Sequence, residues 1–284
     1  LSLSDADMVD IARYLAHIGL CNSKKRAPNL ATLEELHRAH PQAIPFESIS
    51  PFIGEDVPID LDSIQAKMLV KGRGGYCFEH NKLFRCALEA LGFDVKTMMA
   101  RVLWAQNEHF HIGPCTHMFL LVTIEGSEYI ADVGFGGMTL SGPILFRLYE
   151  EQQLPFGRFR LNDTKAFPDL QNIPYVLETK LGETWKPMYC FDKTVCYDCD
   201  LDVSNYYVST HPDSIFRRSF MVAQHGPDYM LTIANCRLKV YHQNGEIETI
   251  SHHPESIVSF IESRLRLSPD TRRRLEHYVK QAFK

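Results

Sequence analysis

The chain has 284 residues, enough for one large domain or two to three modest layers around a real core, with 45% hydrophobic and 23% charged residues as in an ordinary globular protein. A formal net charge of −5 argues against a sequence-independent nucleic-acid binder, which is usually basic. No apolar run approaches the ~20 residues that span a bilayer, and Leu1 to Asp10 lack the basic-then-apolar pattern of a secretory signal.

The first third reads as helical. Ser4-Asp5-Ala6-Asp7 predicts a cap, followed by Met8, Ile11, Leu15 and Ile18 at helical spacing. Thr32 to Glu35 predicts a capping box ahead of a short helix that Pro41 stops. Leu61, Ile64 and Met68 mark a third helix closed by Gly72. A fourth begins near Cys77, carries Phe84, Ala87, Leu88 and Leu91 on one face, and ends at Gly92. The pattern then changes to strands. Val95 to Trp104, Met118 to Ile124 and Tyr129 to Val133 are rich in β-branched and aromatic residues, with a turn at Gly126-Ser127 between the last two. Further strands fit Val176 to Thr179 and Trp185 to Phe191 across Gly182, then Tyr229 to Ile233 and Leu238 to Tyr241. Helices from about Pro254 to Leu265 and from Pro269 onward follow. There is no internal repeat. The order predicts an α+β protein, with boundaries near 92 and 205.

The segment Arg73-Gly74-Gly75-Tyr76-Cys77-Phe78-Glu79-His80-Asn81 carries the chemistry. Two glycines permit a tight, closely approaching turn. A thiol at a helix N-terminus feels the positive end of the macrodipole and free backbone N–H groups, which favour a thiolate. Such a nucleophile needs a base, and the base needs an orienting group. His117 heads one apolar strand and Asp132 ends the next, before Gly134-Phe135-Gly136-Gly137. On a hairpin turning at Gly126-Ser127 the two share a face but stand about four residues, or ~13 Å, apart. Contact then needs a turn shifted toward Ile124-Glu125, a bulge, or strong curvature.

At these residues the chain resembles the arylamine N-acetyltransferases. The likeness rests on Arg73 to Glu79, on Thr116-His117, and on Ala131-Asp132-Val133-Gly134-Phe135-Gly136-Gly137, in the family's Cys-His-Asp order. It extends to Ile44-Pro45-Phe46-Glu47, to Ala100-Arg101-Val102-Leu103-Trp104, to Gly157 through Leu161, and to Asn205 through Pro212. The resemblance implies three parts: a helical bundle over 1–92 bearing the cysteine, a β-barrel-like domain over 93–205 bearing His and Asp, and an α/β lid over 206–284. It implies acetyl-coenzyme A-dependent N-acetylation of arylamines, and of aryl hydrazines, through an acetyl-Cys77 thioester. Cys77, His117 and Asp132 would be catalytic. Phe46, Val102, Phe135 and Phe216 would line the acceptor pocket. Thr116, Gly134, Gly136 and Gly137 would face coenzyme A, and Arg73 would pair with Glu47.

Bland readings compete. A lone cysteine is more often a buried small hydrophobe, and a lone aspartate at a strand end more often caps a turn. Phe46, Val102 and Phe216 read equally as core. Transglutaminase-like and papain-like hydrolases also order Cys, His and a third polar residue. The eight cysteines, irregularly spaced, are no disulfide framework in a chain this long, so reduced thiols and a cytoplasmic location are expected. Cys190, Cys196 and Cys199 have zinc-like spacing without a second pair, and His109, His111, Cys115 and His117 crowd one loop. No metal is expected at either place. No heptad marks an oligomer.

Overall fold

The computed structural model describes residues 8–21, 25–104, 106, 110–170, 172–243 and 245–283. The cap expected at Ser4 to Asp7, and His109, lie outside them. Helix α1 (Ile11–His17) starts on Asp10, whose carboxylate accepts from the Arg13 N–H at 2.9 Å. Helix α2 (Leu30–Ala43) is capped by Asn29, which accepts from the Thr32 N–H at 3.0 Å, so the cap is not Thr32. The Asn three residues earlier caps a first turn that begins one turn sooner and lets Leu30 and Ala31 join the helix. Pro41 does not stop α2 but sits inside its last turn. It forfeits one ladder bond there, and the Ile44 N–H still closes onto the His40 carbonyl at 2.9 Å. Strand β1 (Phe46–Glu47) and a single turn, α3 (Ile49–Phe52), follow. Helix α4 (Leu61–Gln65) runs into a π-helical turn over Ala66–Val70. Helix α5 (Cys77–Ala90) is buried at every position from Cys77 to Phe84.

Eight strands form one antiparallel sheet: β2 (Asp94–Val102), β3 (His117–Ile124), β4 (Ser127–Ala131), β5 (Ile144–Leu145), β6 (Glu151–Gln153), β7 (Arg158–Asp163), β8 (Tyr175–Leu181) and β9 (Thr184–Val195). Their order is β5-β4-β3-β2-β9-β8-β7-β6. The sheet curls until its two edges meet, giving the β-barrel-like form. Side chains bridge the seam: the Ser141 hydroxyl donates to the Phe156 carbonyl at 2.9 Å and accepts from its N–H at 2.8 Å, and the Gln152 amide accepts from the Leu145 N–H and donates to the Leu145 carbonyl, both at 2.8 Å. An amide group thus stands in for a backbone peptide at an edge that would otherwise be unpaired. Strand β3 is packed on both faces. Met118, Leu120, Val122 and Ile124 join the helical core, whereas Phe119 and Leu121 join the barrel core.

Helix α6 (Asp198–Thr210), which runs unbroken through residue 205, and α7 (Ile215–Arg218) lead to a second sheet. That sheet has the order β1-β10-β11-β12-β13, with β10 (Met221–His225), β11 (Tyr229–Ala234), β12 (Arg237–His242) and β13 (Ile247–Ser251). Its first strand comes from the N-terminal segment, with Phe46 opposite Ala223 and Glu47 opposite Val222. Helices α8 (Pro254–Glu262) and α9 (Pro269–Ala282) cover it, sharing a core with Ile49 and Phe52 of α3. Among the described residues, no helix is long and apolar enough to cross a membrane.

The β3–β4 turn differs by one residue from the sequence expectation. Ile124 pairs with Ser127, so Glu125 and Gly126 form the turn, not Gly126 and Ser127. Both central residues have positive φ, +50° and +79°, as a type I′ hairpin requires, with glycine at its favoured second place. The shift moves Asp132 from four residues to two from the level of His117. Two residues is ~7 Å of strand, a gap that two side chains can bridge.

Candidate active site

The loop before α5 is held by buried charge. Arg73 donates to Glu47 Oε1 through Nη2 at 2.6 Å and Nε at 3.0 Å, and Lys67 Nζ lies 2.7 Å from Glu79 Oε1 and 3.7 Å from Glu47 Oε1. The second oxygen of Glu47 caps Ile49 N–H at 2.7 Å, and that of Glu79 caps Tyr76 N–H at 3.0 Å. Burial opposes ionisation of Glu47, but Arg73 and Lys67 outweigh it and hold the carboxyl below its usual value. Gly74 has no room for a side chain, since a Cβ there would stand 2.0 Å from the Pro45 carbonyl oxygen. The loop is therefore pinned from both sides, and it delivers Cys77 as the first residue of α5. There the sulfur lies at the positive end of the helix.

The sulfur, ring and carboxylate converge. Cys77 Sγ lies 3.6 Å from the Thr116 carbonyl oxygen. His117 Nε2 lies 2.7 Å from Asp132 Oδ2, and the ring is near enough to Cys77 for the sulfur to favour its protonation. Burial of His117 opposes its protonation, the largest single influence. The charge and hydrogen bond of Asp132, then Cys77, reverse it and raise the ring to about 10. Asp132, wholly buried, would be pushed up by desolvation, yet His117, the Gly134 N–H and Asn81 hold it below its usual value. The result is an imidazolium beside a sulfur, held in place by a buried carboxylate.

Asn81 is the residue that sequence reasoning left unused, although it closes the quoted motif. Its Nδ2 donates to the Met118 carbonyl at 2.7 Å and to Asp132 Oδ1 at 3.0 Å, and its Oδ1 accepts from the Val133 N–H at 3.1 Å. One amide on the cysteine's helix thereby locks both strands that carry His117 and Asp132. Its spacing of four from Cys77 places it one turn along α5, a signal legible only once the helix start is fixed. His37 was likewise missed; its Nε2 accepts from the Asp132 N–H at 3.0 Å.

The pocket residues fall into two aromatic groups. Phe46 and Phe216 have ring centroids 6.2 Å apart, with Tyr76 5.8 Å from Phe216. Phe135 stands edge-on to His117 at 5.1 Å and near Tyr189 and Trp104. Val102 ends β2 and is exposed. Gly134 lies against the helix start, where a Cβ would come within 3.0 Å of Cys77 Cα, and its N–H is taken by Asp132 Oδ1 at 3.0 Å. The Gly136 N–H is taken by Thr139 Oγ1 at 2.8 Å. Gly137 and Trp104 line a cleft of about 140 Å³ together with Arg237, Lys239 and Tyr241. Cys190 is buried in β9, whereas Cys199 is exposed on α6.

The buried imidazoles make stability depend on pH. Desolvation pushes His80 and His225 down to about 4 and His37 to about 3. Unfolded, each binds a proton near 6.5, so between pH 6.5 and 4 the unfolded chain holds more protons and stability falls with acidity. For His80 alone the loss reaches about 3 kcal/mol at pH 4. His117 acts oppositely: its contribution is complete below about pH 6.5 and fades as pH rises toward 10. Urea midpoints measured from pH 8 to 4 should fall steeply below 6.5. Constant midpoints between pH 6.5 and 5 would contradict the burial of these rings.

Comparisons with known proteins point one way. The sequence model of the N-acetyltransferase family matches residues 29–273. The arylamine N-acetyltransferase / N-hydroxyarylamine O-acetyltransferase of Salmonella typhimurium is 36% identical over 79% of this chain and 77% of its own length. The arylamine N-acetyltransferase of Mycolicibacterium smegmatis is 35% identical over 85% and 86%. The structure of Mycobacterium marinum arylamine N-acetyltransferase in complex with CoA superposes with a TM-score of 0.87, at 30% identity, over 96% of this chain and 99% of that one. By sequence along most of its length and by fold along nearly all of it, the chain belongs to the arylamine N-acetyltransferases, a family of acyltransferases.

Proposed function

We propose that the protein acetylates aromatic amines, and aryl hydrazines, by a ping-pong reaction with acetyl-coenzyme A in which Cys77 is the nucleophile. The observation that carries this reading is the convergence of Cys77, His117 and Asp132, with His117 protonated beside the sulfur. In the first half-reaction the Cys77 sulfur attacks the thioester carbonyl, forming a new carbon–sulfur bond as the coenzyme sulfur leaves and takes the His117 proton, which leaves the ring neutral. One thioester replaces another, so the step is nearly balanced. In the second, the amine nitrogen attacks the acetyl carbon and the Cys77 sulfur departs. A neutral arylamine is weakly basic and unprotonated at pH 7, so its lone pair is available. His117 takes the proton lost by nitrogen and restores the resting pair.

Phe46, Phe135 and Phe216 supply flat apolar surfaces for an aromatic acceptor, with Val102 at the rim. The cleft beside Gly137 and Trp104 suits coenzyme A, since Arg237 and Lys239 can meet its phosphates. Thr116 lies at the sulfur, and Gly134 and Gly136 act there by letting the loop approach Cys77 and Phe46. The N-terminal helical part, barrel and lid would divide near residues 92 and 205.

The test is intact mass after mixing with acetyl-coenzyme A and no acceptor. One acetyl group should appear on the protein, be absent in Cys77→Ala, and discharge when an arylamine is added. Unmodified but folded protein would favour a hydrolase using the same three residues.

A further inference from the structure

A run of buried polar rings leads from α1 to the acceptor side of the site. The Tyr14 hydroxyl lies 2.9 Å from His40 Nδ1, His40 Nε2 lies 3.0 Å from His80 Nδ1, and His80 Nε2 lies 3.2 Å from the Pro45 carbonyl oxygen. All three side chains are fully buried. The protons in this run can be assigned from its end. A carbonyl oxygen only accepts, so His80 carries its proton on Nε2, and its Nδ1 must accept. His40 then donates through Nε2, and its Nδ1 accepts from the Tyr14 hydroxyl. Every bond points the same way, every ring is neutral, and no donor is left over. Burial, which drives His80 to about 4 and His40 well below its usual value, keeps the rings neutral.

The far end of the run meets the pocket. Pro45 precedes Phe46, and the Phe46 ring stacks on His80 with centroids 6.2 Å apart and an interplanar angle of 15°. The other sides of Phe46 are occupied too. A Cβ on Gly136 would stand 3.2 Å from its ring, and Phe216 packs on it at a tilt. The backbone there is fixed by the Glu47 N–H, which donates to the Gly75 carbonyl at 2.7 Å. The Pro45 carbonyl is held by His80.

We propose that His80 is a positioning residue for the acceptor: it sets the Phe46 ring and the Pro45 carbonyl, and His40 and Tyr14 fix its orientation. The proposal rests on the reading above that Phe46 lines the acceptor pocket. It predicts that disturbing the run weakens use of the aromatic acceptor and spares acetylation of Cys77, because the hydrogen bonds of the run lead from Tyr14 to the Pro45 carbonyl and not to the sulfur, His117 or Asp132.

Three variants and one spectrum test this. In His80→Leu the acceptor KM should rise roughly tenfold, the scale of one buried hydrogen bond, while acetyl-Cys77 forms within about threefold of the wild-type rate. His80→Gln, which keeps an N–H able to reach the Pro45 carbonyl, should recover most of that loss. Tyr14→Phe, which removes only a hydroxyl, should raise the acceptor KM by roughly two- to fivefold. Nitrogen-15 NMR of the wild type should show Nε2–H on both His40 and His80. An Nδ1–H form at either ring overturns the assignment, and so the proposal. Unchanged acceptor KM in Tyr14→Phe and His80→Gln, together with either an unchanged KM or no folded protein for His80→Leu, overturns it as well. So does an equal fall of both half-reactions that His80→Gln fails to rescue. A wild-type protein that forms no acetyl-Cys77 at all would instead remove the functional reading on which the proposal stands.

Discussion

Asp132→Asn should lose about 10⁴-fold in acetyl transfer while remaining folded. The reason lies in the two oxygens of this carboxylate. Oδ1 faces two donors, Asn81 Nδ2 and the Gly134 N–H, each at 3.0 Å, whereas Oδ2 faces His117 Nε2 at 2.7 Å. An asparagine must place its oxygen toward the two donors, which turns its NH₂ toward His117. The ring nitrogen on that side must then accept, so the proton moves to Nδ1, the one nitrogen left free to serve as base. A ring in that tautomer cannot take the thiol proton. The rate of acetyl-Cys77 formation, followed by rapid-quench mass measurement beside a melting curve, checks this. Activity within tenfold of wild type in a folded Asp132→Asn protein would remove Asp132 from the orienting role.

Arg73→Met should lower stability by about 3–5 kcal/mol, a drop in Tm on the order of 10 °C. Arg73 supplies two of the hydrogen bonds to Glu47, a carboxylate with no exposed surface on its side chain. Without it, only Lys67 at 3.7 Å opposes the charge, and Lys67 is already engaged by Glu79 at 2.7 Å. A buried carboxylate stripped of its main partner must lose ionisation energy, take up a proton, or open the loop to water. Opening is the damaging route, because Gly74 and Gly75 are packed without a gap between Pro45, Met68 and Glu79. The effect should shrink in the double variant with Glu47→Gln, since that change removes the orphaned charge. A Tm within about 3 °C of wild type for Arg73→Met would show that the pair is neutral to stability.

The local signals of this chain were strong where a residue's own neighbours decide its state. The start of α5 at Cys77 followed from a Gly-Gly turn and an amphipathic run, and the strands carrying His117 and Asp132 followed from their β-branched residues. Those signals, with the order of the three reactive residues, were enough to read the family resemblance that the comparisons bear out. Short elements were not legible. Strand β1 has two residues and exists because β10, 175 residues later, offers a free edge. Strand β5 has two as well, and its edge is sealed by the side chain of Gln152. For β1 no window of sequence contains the partner, and for β5 the partner Gln152 is seven residues away but its pairing is made by a side chain, which strand propensity does not encode.

Sequence by itself determined which residues carry reactive chemistry, because thiol, imidazole and carboxylate are properties of side chains and their helical or strand setting is local. Tertiary structure alone decided whether they meet. A hairpin turn displaced by one residue halves the separation of His117 and Asp132 along the strands. One asparagine on α5 then fastens that hairpin to the cysteine's helix. It also decided the fate of the histidines at 37, 40 and 80. In the sequence they are ordinary titratable residues, and burial against one another and against fixed carbonyl and N–H groups leaves each a single neutral form. Protonation state depends on solvent exclusion and on partners distant along the chain, and neither is written in the order of residues.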